Sequence, residues 1–362
     1  MNKIPTFLSI LFAISLVNIN AQIFKDTSKK VVFEWNGFMD VFSSYSNERI
    51  PLNVWEPWNN YTDEIHPNLV SHNRRKGIHI NQALIQGSFS YDRFKVNLGV
   101  HGGTYVNDNY RDESIKYFSE ANILIDLDKQ KKIDLQVGIM PSHIGYENAI
   151  SMDNWTLTRS VMADNSPYFM TGAKLNWKVK KWQLAGLVLN GWQKIQFDPY
   201  EKLPAFGWQI QRNGEKFIFN SSAYLEWRKM ENWSGPVWFH NFYVKWLINE
   251  KNGLIFAVDY GQQQVKNDIG QKNFGGASLV FRHDWSPKWI SAIRGEFYSG
   301  NELRMPRIYE QWRTTLGGST NVDFKFHKHL WFRADLRYLN VLNLNEKDSH
   351  FLQFTVSAAV RI

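Results

Sequence analysis

The chain has 362 residues, a formal net charge of +8 and no cysteine, which excludes a disulfide framework, a thiolate metal site and a thiol nucleophile. Aromatic residues make up 15% of the chain and include 16 tryptophans, yet its mean hydropathy is only −0.41. The positive charge does not predict a nucleic-acid partner, because the basic residues alternate with apolar ones instead of forming a stripe.

The first 21 residues have the layout of a secretory signal. Lys3 precedes an apolar stretch over residues 7–17, and a polar region ends in Ala21. We therefore expect a cleaved signal peptide at 1–21 and an exported chain at 22–362. No stretch of the exported chain approaches the ~20 apolar residues that a membrane-spanning helix needs.

Apolar and polar side chains alternate in short segments along the rest of the chain. The clearest segment is 350–362, whose two faces are Leu352, Phe354, Val356, Ala358, Val360 and Ile362 on one side and Gln353, Thr355, Ser357 and Arg361 on the other. A period of two is that of a β-strand. A strand of this kind has one face for lipid and one face for water.

Sixteen segments show this alternation and are bounded by turn residues. They lie at roughly 31–46, 77–91, 93–107, 114–127, 132–141, 170–180, 182–196, 205–213, 217–229, 238–250, 252–264, 273–285, 289–300, 309–323, 329–343 and 350–362. Most reach the ~9 to 11 residues that a tilted transmembrane strand needs. We predict an all-β fold, a transmembrane antiparallel β-barrel of about 16 strands. Segments 170–180 and 205–213 are the weakest, so 14 strands is the alternative.

Short connections broadly alternate with long ones between these segments. Short periplasmic turns and longer external loops are typical of bacterial barrels. The two external loops that stand out lie at 47–76 and 142–169. Sixteen strands enclose a bore that side chains cannot fill, so we expect water inside unless a loop enters it.

The alternation also assigns charged residues to the bore. A basic wall is predicted from Arg282, Arg294, Arg313, Arg333 and Arg337, and an acidic arc from Glu34, Asp40 and Glu120. Opposite charges across a bore produce a transverse field that discriminates between ions. The alternative is that these charges only keep the bore wet or tie neighbouring strands together.

Residues 138–175 carry a distinctive pattern, GIMPSHIGYENAISMDNWTLTRSVMADNSPYFMTGAKL, which LVLNGWQKIQ follows at 187–196. Its defining positions include Pro141, Ser142, His143, Gly145, Tyr146, Asn154, Trp155, Asn165 and Pro167. The pattern resembles the OmpL-like β-barrel porin family of Bacteroidetes and related bacteria. The resemblance implies an outer-membrane barrel and a porin, and it does not supply a solute.

The loop 142–169 also has the features of a constriction. Long loops without strands of their own are usually functional, and the third external loop of general porins folds into the bore. In this chain it carries four candidate constriction residues, Glu147, Asp153, Arg159 and Asp164. The alternative is an external lid or a contact within a homotrimer.

An enzyme is the least favoured interpretation, although Ser142 next to His143 resembles a nucleophile beside its base. Adjacent residues of an extended segment point to opposite faces, so we do not expect them to form the hydrogen bond that activates a nucleophile. We predict no enzyme, no cofactor and no metal site.

Two functions remain open. The first is an outer-membrane porin that lets small hydrophilic solutes or ions diffuse passively through a charged lumen. The second is a closed structural or adhesive barrel whose long loops bind a partner or a surface glycan. The expected partners are outer-membrane lipid, lipopolysaccharide and those solutes, with no nucleic acid, and a homotrimer is left open.

Overall fold

The computed structural model describes residues 31–47, 69–198, 201, 203–230, 233–264, 271–300, 314–342 and 348–362. Within these residues, sixteen strands form one closed barrel in which neighbours in the chain pair with each other. The strands are β1 (Val32–Ser46), β2 (His79–Tyr91), β3 (Phe94–Gly102), β4 (Phe118–Asp126), β5 (Ile133–Pro141), β6 (Phe169–Val179), β7 (Trp182–Leu189), β8 (Ala205–Asn213), β9 (Phe217–Met230), β10 (Trp233–Leu247), β11 (Asn252–Gln264), β12 (Gln271–Asp284), β13 (Trp289–Gly300), β14 (Thr314–His327), β15 (Leu330–Leu342) and β16 (Ser349–Arg361). The predicted all-β barrel of 16 strands is confirmed.

The barrel closes between its first and last strands. β1 and β16 pair antiparallel from Phe38 opposite Arg361 to Ser46 opposite Gln353. Closure matters because lipid offers no hydrogen-bond partner to an unpaired strand edge. The two weakest predicted segments form β6 and β8, each paired on both sides, so the 14-strand alternative is wrong.

The outer surface of the barrel is apolar and the inner surface is polar. Along β16, Leu352 and Phe354 are 42% and 47% exposed, whereas Gln353 and Thr355 are fully buried towards the interior. Aromatic residues concentrate at the interfaces of a membrane, where girdles of Trp and Tyr anchor a barrel. Exposed tryptophans stand at strand ends beside the short turns: Trp177, Trp182, Trp246 and Trp289.

Short helical pieces lie in the long connections. They are α1 (Thr104–Asn109), a 3₁₀ turn (Ser151–Asp153) and α2 (Val161–Asp164). In the described ranges, the helices are too short and too polar for one to cross a membrane. The predicted signal peptide at 1–21 and most of the predicted loop 47–76 lie outside the described residues.

Two glycines face each other across β5 and β6, the strands that carry the long loop between them. Gly138 pairs with Gly172, and their φ angles are 125° and 154°. A Cβ at Gly138 would lie 2.2 Å from the carbonyl oxygen of Ala121, and one at Gly172 would lie 2.1 Å from that of Val188. Only glycine therefore fits at either position.

Candidate pore constriction

The connection between β5 and β6 folds into the barrel, and we call residues 142–168 the constriction loop. It reaches the wall opposite its own strands. There the main-chain nitrogen of Leu157 donates to Oδ1 of Asn321 on β14 at 2.9 Å, and the Thr158 hydroxyl donates to Oδ1 of Asp335 on β15 at 2.7 Å. The loop therefore crosses the bore and divides it.

Two arginines of the predicted basic wall hold this loop through one carboxylate. Arg294 donates to the carbonyl oxygen of Thr158 at 2.5 Å and to Glu296 at 3.2 Å, and Arg337 donates to the same Glu296 oxygen at 3.1 Å. The other Glu296 oxygen accepts from the main-chain nitrogen of Val161 at 2.6 Å. These charged side chains are at most 2% exposed, so they face the loop and not open water.

The tip of the loop is bound by cations from β15 and β16. Arg333 pairs with Asp323 at 2.7 Å and donates to the carbonyl oxygen of Ser151 at 2.5 Å. Arg361 forms an ion pair with the predicted constriction residue Asp153 at 2.8 Å. The predicted wall and the predicted constriction loop are thus bonded to each other.

The remaining wall residues differ in their placement. Arg282 donates to Asp284 at 2.7 Å, and its guanidinium carbon lies 5.6 Å from the ring centroid of Trp155. The Lys245 ammonium lies 5.0 Å from the same ring. Cations at such distances are attracted to the face of a tryptophan, which adds to the attachment of the loop tip. Arg313 lies outside the described residues.

The Glu147 carboxylate is used to fold the loop. It accepts from the main-chain nitrogen of Ser160 at 3.1 Å and from the Ser160 hydroxyl, and it lies 3.6 Å from Arg294. The Ser160 hydroxyl oxygen also accepts from the nitrogen of Ala163 at 3.1 Å, which caps α2. Burial raises the pKa of the Glu147 carboxyl, against the opposing attraction of Arg294.

The other two predicted constriction residues, Arg159 and Asp164, are buried, and Arg159 lies between the loop and α1. The Arg159 guanidinium lies between two aromatic rings, 4.6 Å from the centroid of Tyr105 and 4.7 Å from that of Tyr168. Burial raises the pKa of the Asp164 carboxyl to about 7, although Arg337 and Arg159 oppose the shift. The loop is therefore packed around charges that are not presented to solvent.

The positions that carry the family resemblance shape the loop and attach it to the wall. The main-chain nitrogen of Gly145 donates to Asn241 at 3.1 Å, and the Tyr146 and Ser278 hydroxyls lie 2.9 Å apart. Two further positions form hydrogen bonds within the loop: the Asn154 side chain donates to the carbonyl oxygen of Asn148 at 2.8 Å, and the Asn165 side chain donates to that of Val161 at 2.7 Å. The two prolines stand at the ends of the loop, Pro141 at the end of β5 and Pro167 shortly before β6.

Ser142 and His143 bind separate partners. The Ser142 hydroxyl oxygen accepts from the main-chain nitrogen of Ile144 at 3.1 Å, and Nε2 of His143 donates to the carbonyl oxygen of Ala223 at 3.0 Å. Burial also lowers the pKa of His143 to about 4. This geometry ties the start of the loop to β9 and does not form a pair of nucleophile and base.

The predicted acidic arc is not one continuous surface. Asp40 is fully buried beneath residues 69–75, where it accepts from Nε2 of His72 at 2.9 Å. Glu34 is exposed near the end of β1 that adjoins the short turns. Glu120 on β4 is half-buried and borders open space.

Residues 69–75 are a part of the site that the sequence analysis missed. They form the end of the predicted external loop 47–76, yet they are largely buried in the bore, where Arg74 pairs with Asp108 at 2.7 Å. Polar residues without alternation give no local signal for burial. The complementary charges become neighbours only after the barrel has formed.

A cavity of about 450 Å³ remains between the constriction loop and the wall formed by β2, β3 and β4. The wall side includes Gln82, Gln86, His101 and Glu120, and the loop side includes Tyr146, Glu147, Asn148 and Tyr168. Among the described residues that line it, two are acidic and none is lysine or arginine.

A closed sixteen-strand barrel with an apolar outer surface and a long loop folded into its bore is the architecture of an outer-membrane porin. The chain belongs to the family described as "Putative beta-barrel porin-2, OmpL-like", whose model matches residues 33–362. The family resemblance found in the sequence is thereby confirmed. A search of curated proteins finds no match.

Solved structures of porins share this fold. The outer membrane channel DcaP of Acinetobacter baumannii is 11% identical with a TM-score of 0.64, and the match covers 94% of this chain and 99% of that one. An anion-selective porin from Comamonas acidovorans is 8% identical with a TM-score of 0.60, and the match covers 92% of this chain and 100% of that one. OmpT of Vibrio cholerae, in its trimer form, is 9% identical with a TM-score of 0.58, and the match covers 92% of this chain and 99% of that one. At such identities the likeness concerns the fold alone.

Proposed function

We propose that the protein is a passive diffusion channel of the outer membrane for small hydrophilic solutes or ions. The observation that carries this proposal is the cavity of about 450 Å³ that the constriction loop leaves beside β2 to β4. A loop that narrows a bore without filling it limits the size of what passes and brings polar groups close to the solute. Diffusion through such a passage requires no energy coupling.

Planar-bilayer recording tests the proposal. The chain without residues 1–21, folded in detergent and added to one side of the bilayer, should give discrete steps of current of uniform size. Heat-denatured protein in the same detergent is the control. A correctly folded and inserted protein that gives no current would contradict the proposal.

A closed structural or adhesive barrel is the second candidate, and the filling of the bore favours it. The constriction loop and residues 69–75 occupy much of the interior, as the complete burial of Leu157 and His72 indicates. In this case the folded protein would be silent in the bilayer. It would instead bind a surface glycan or lipopolysaccharide through its external loops. A binding assay with immobilised lipopolysaccharide would detect this.

In this proposal the wall arginines affect ion selectivity indirectly, by holding the constriction loop in place. Arg294, Arg333 and Arg337 hold the loop against one side of the bore. Its position decides which groups border the passage. The basic wall would then influence selectivity without contacting the solute.

We also propose export by a cleaved signal and residence in the outer membrane. Residues 1–21 should be absent from the mature protein, so N-terminal sequencing of the membrane-extracted chain should begin at or within a residue or two of Gln22. Detection of residues 1–21 on the mature protein would contradict this.

A homotrimer is proposed from fold similarity to OmpT, which is described in a trimer form. The mass of the detergent-solubilised complex, corrected for bound detergent, should be three times that of one chain. A mass of one chain at all protein concentrations would contradict it.

A further inference from the structure

We propose that the passage prefers cations to anions and that Glu120 is the residue that sets this preference. The inference rests on the proposed channel function and adds a class of solute to it. A wall of arginines alone would instead predict a preference for anions.

Glu120 lies where a permeating ion would pass. It projects from β4 into the cavity and pairs across the sheet with Gly99 on β3. The missing side chain of Gly99 leaves room for it, since a Cβ there would lie 3.2 Å from Cγ of Glu120. Nε2 of Gln86 donates to the carboxylate at 3.0 Å. Within the described part of the chain, Glu120 has no ion-pair partner within 4 Å, and the Lys95 ammonium on β3 attracts it only from farther away. Its carboxylate therefore remains available to an ion in the passage.

The arginines on the far wall have their charges compensated. Arg294 and Arg337 share Glu296, Arg294 also lies 3.6 Å from Glu147, and Arg333 pairs with Asp323. All three are at most 2% exposed. A paired and buried charge contributes little to the potential in the open part of the bore, because the field of its partner largely cancels its own.

The other groups that border the cavity favour a cation or are neutral. Nε2 of His101 donates to the carbonyl oxygen of Lys116 at 3.1 Å, and its Nδ1 accepts from Gln82 at 3.2 Å. In this arrangement the ring carries one proton and no charge. Amide and hydroxyl oxygens, such as that of Asn148, replace part of the hydration shell of a cation. Lys95 projects from β3 below Gly99 and is not among the residues that line the cavity.

Reversal potentials in a gradient of KCl test the inference. For the unmodified protein we expect a K⁺ to Cl⁻ permeability ratio of about 5 at low salt, because a carboxylate without a close ion-pair partner is weakly screened in a narrow bore. The ratio should fall to about 1 in E120Q and below 1 in E120K. The matched control is E250Q, which makes the same substitution on an exposed turn between β10 and β11 and should leave the ratio unchanged.

The outcomes separate the two proposals. Absence of current steps from the folded unmodified protein would overturn the channel function itself. Current steps with a ratio of 1 or lower in the unmodified protein, or with the same ratio in E120Q, would overturn the role of Glu120 while leaving the channel intact. Heat-modifiable migration in gel electrophoresis verifies that each variant has folded.

Discussion

The guanidinium of Arg333 donates to the main-chain oxygen of Asn154 at 3.0 Å, across 179 positions of the chain. Arg333 belongs to the predicted basic wall, and Asn154 belongs to the pattern shared with the porin family. The bond joins the wall of the barrel to the tip of the constriction loop. The arrangement gives the arginines a role as anchors, which can be tested separately from ion selectivity.

R333A should release the loop tip. Its removal leaves Asp323 buried without its cation, which should lower the free energy of unfolding by about 3 kcal/mol. A mobile tip should also make single-channel current noisier and change its size. Urea unfolding and bilayer recording measure the two effects, with R93A in the turn between β2 and β3 as a control. An altered reversal potential with unchanged conductance would show instead that Arg333 acts directly on the permeating ion.

D164N should flatten the dependence of stability on pH. Burial raises the pKa of Asp164 from 3.8 to about 7, so the folded protein holds this proton more tightly than the unfolded chain. The resulting stabilisation is complete below pH 4 and is lost as the pH rises through 7, by up to about 4 kcal/mol. The asparagine variant is neutral throughout. Unfolding measured at several pH values between 4 and 8 should therefore give a smaller slope for D164N, and equal slopes would show that Asp164 does not titrate there.

G172A should impair folding of the barrel. A Cβ at this position would lie 2.1 Å from the carbonyl oxygen of Val188, at a φ of 154° that other residues rarely adopt. We expect a loss of at least about 2 kcal/mol in the free energy of unfolding and a lower yield of folded barrel. G186A on β7 is the matched control, because its Cβ would meet nothing within 4 Å. Equal yields for the two variants would refute the steric argument.

Most of the strands could be predicted because the contrast between lipid and water acts on every second residue. β13 was predicted at 289–300 and runs over Trp289–Gly300. The prediction of 93–107 was too long, since β3 ends at Gly102. Gly103 then adopts a φ of 124°, and α1 begins at Thr104. The positive φ at Gly103 therefore ends the strand earlier than the sequence predicted.

The interior of the barrel could be predicted only in part. Alternation assigned Arg294 and Arg333 to the inner face of the barrel, because the direction of a side chain is a local property of a strand, and both side chains are buried. It could not show that both bind the constriction loop, since those contacts join residues more than a hundred positions apart. The burial of Asp40 beneath His72 was likewise invisible, because it depends on where an irregular segment returns to the barrel.

The proposed channel function requires a passage between the constriction loop and the wall of β2 to β4. The chain has no cysteine, so a single introduced thiol can be labelled selectively. Gln86 borders the cavity, whereas the adjacent Ile85 is 68% exposed on the outer surface. A charged methanethiosulfonate reagent added during bilayer recording should lower the current through Q86C and leave the current through I85C and the unsubstituted protein unchanged. Full current through a Q86C channel whose thiol has been labelled would contradict the claim.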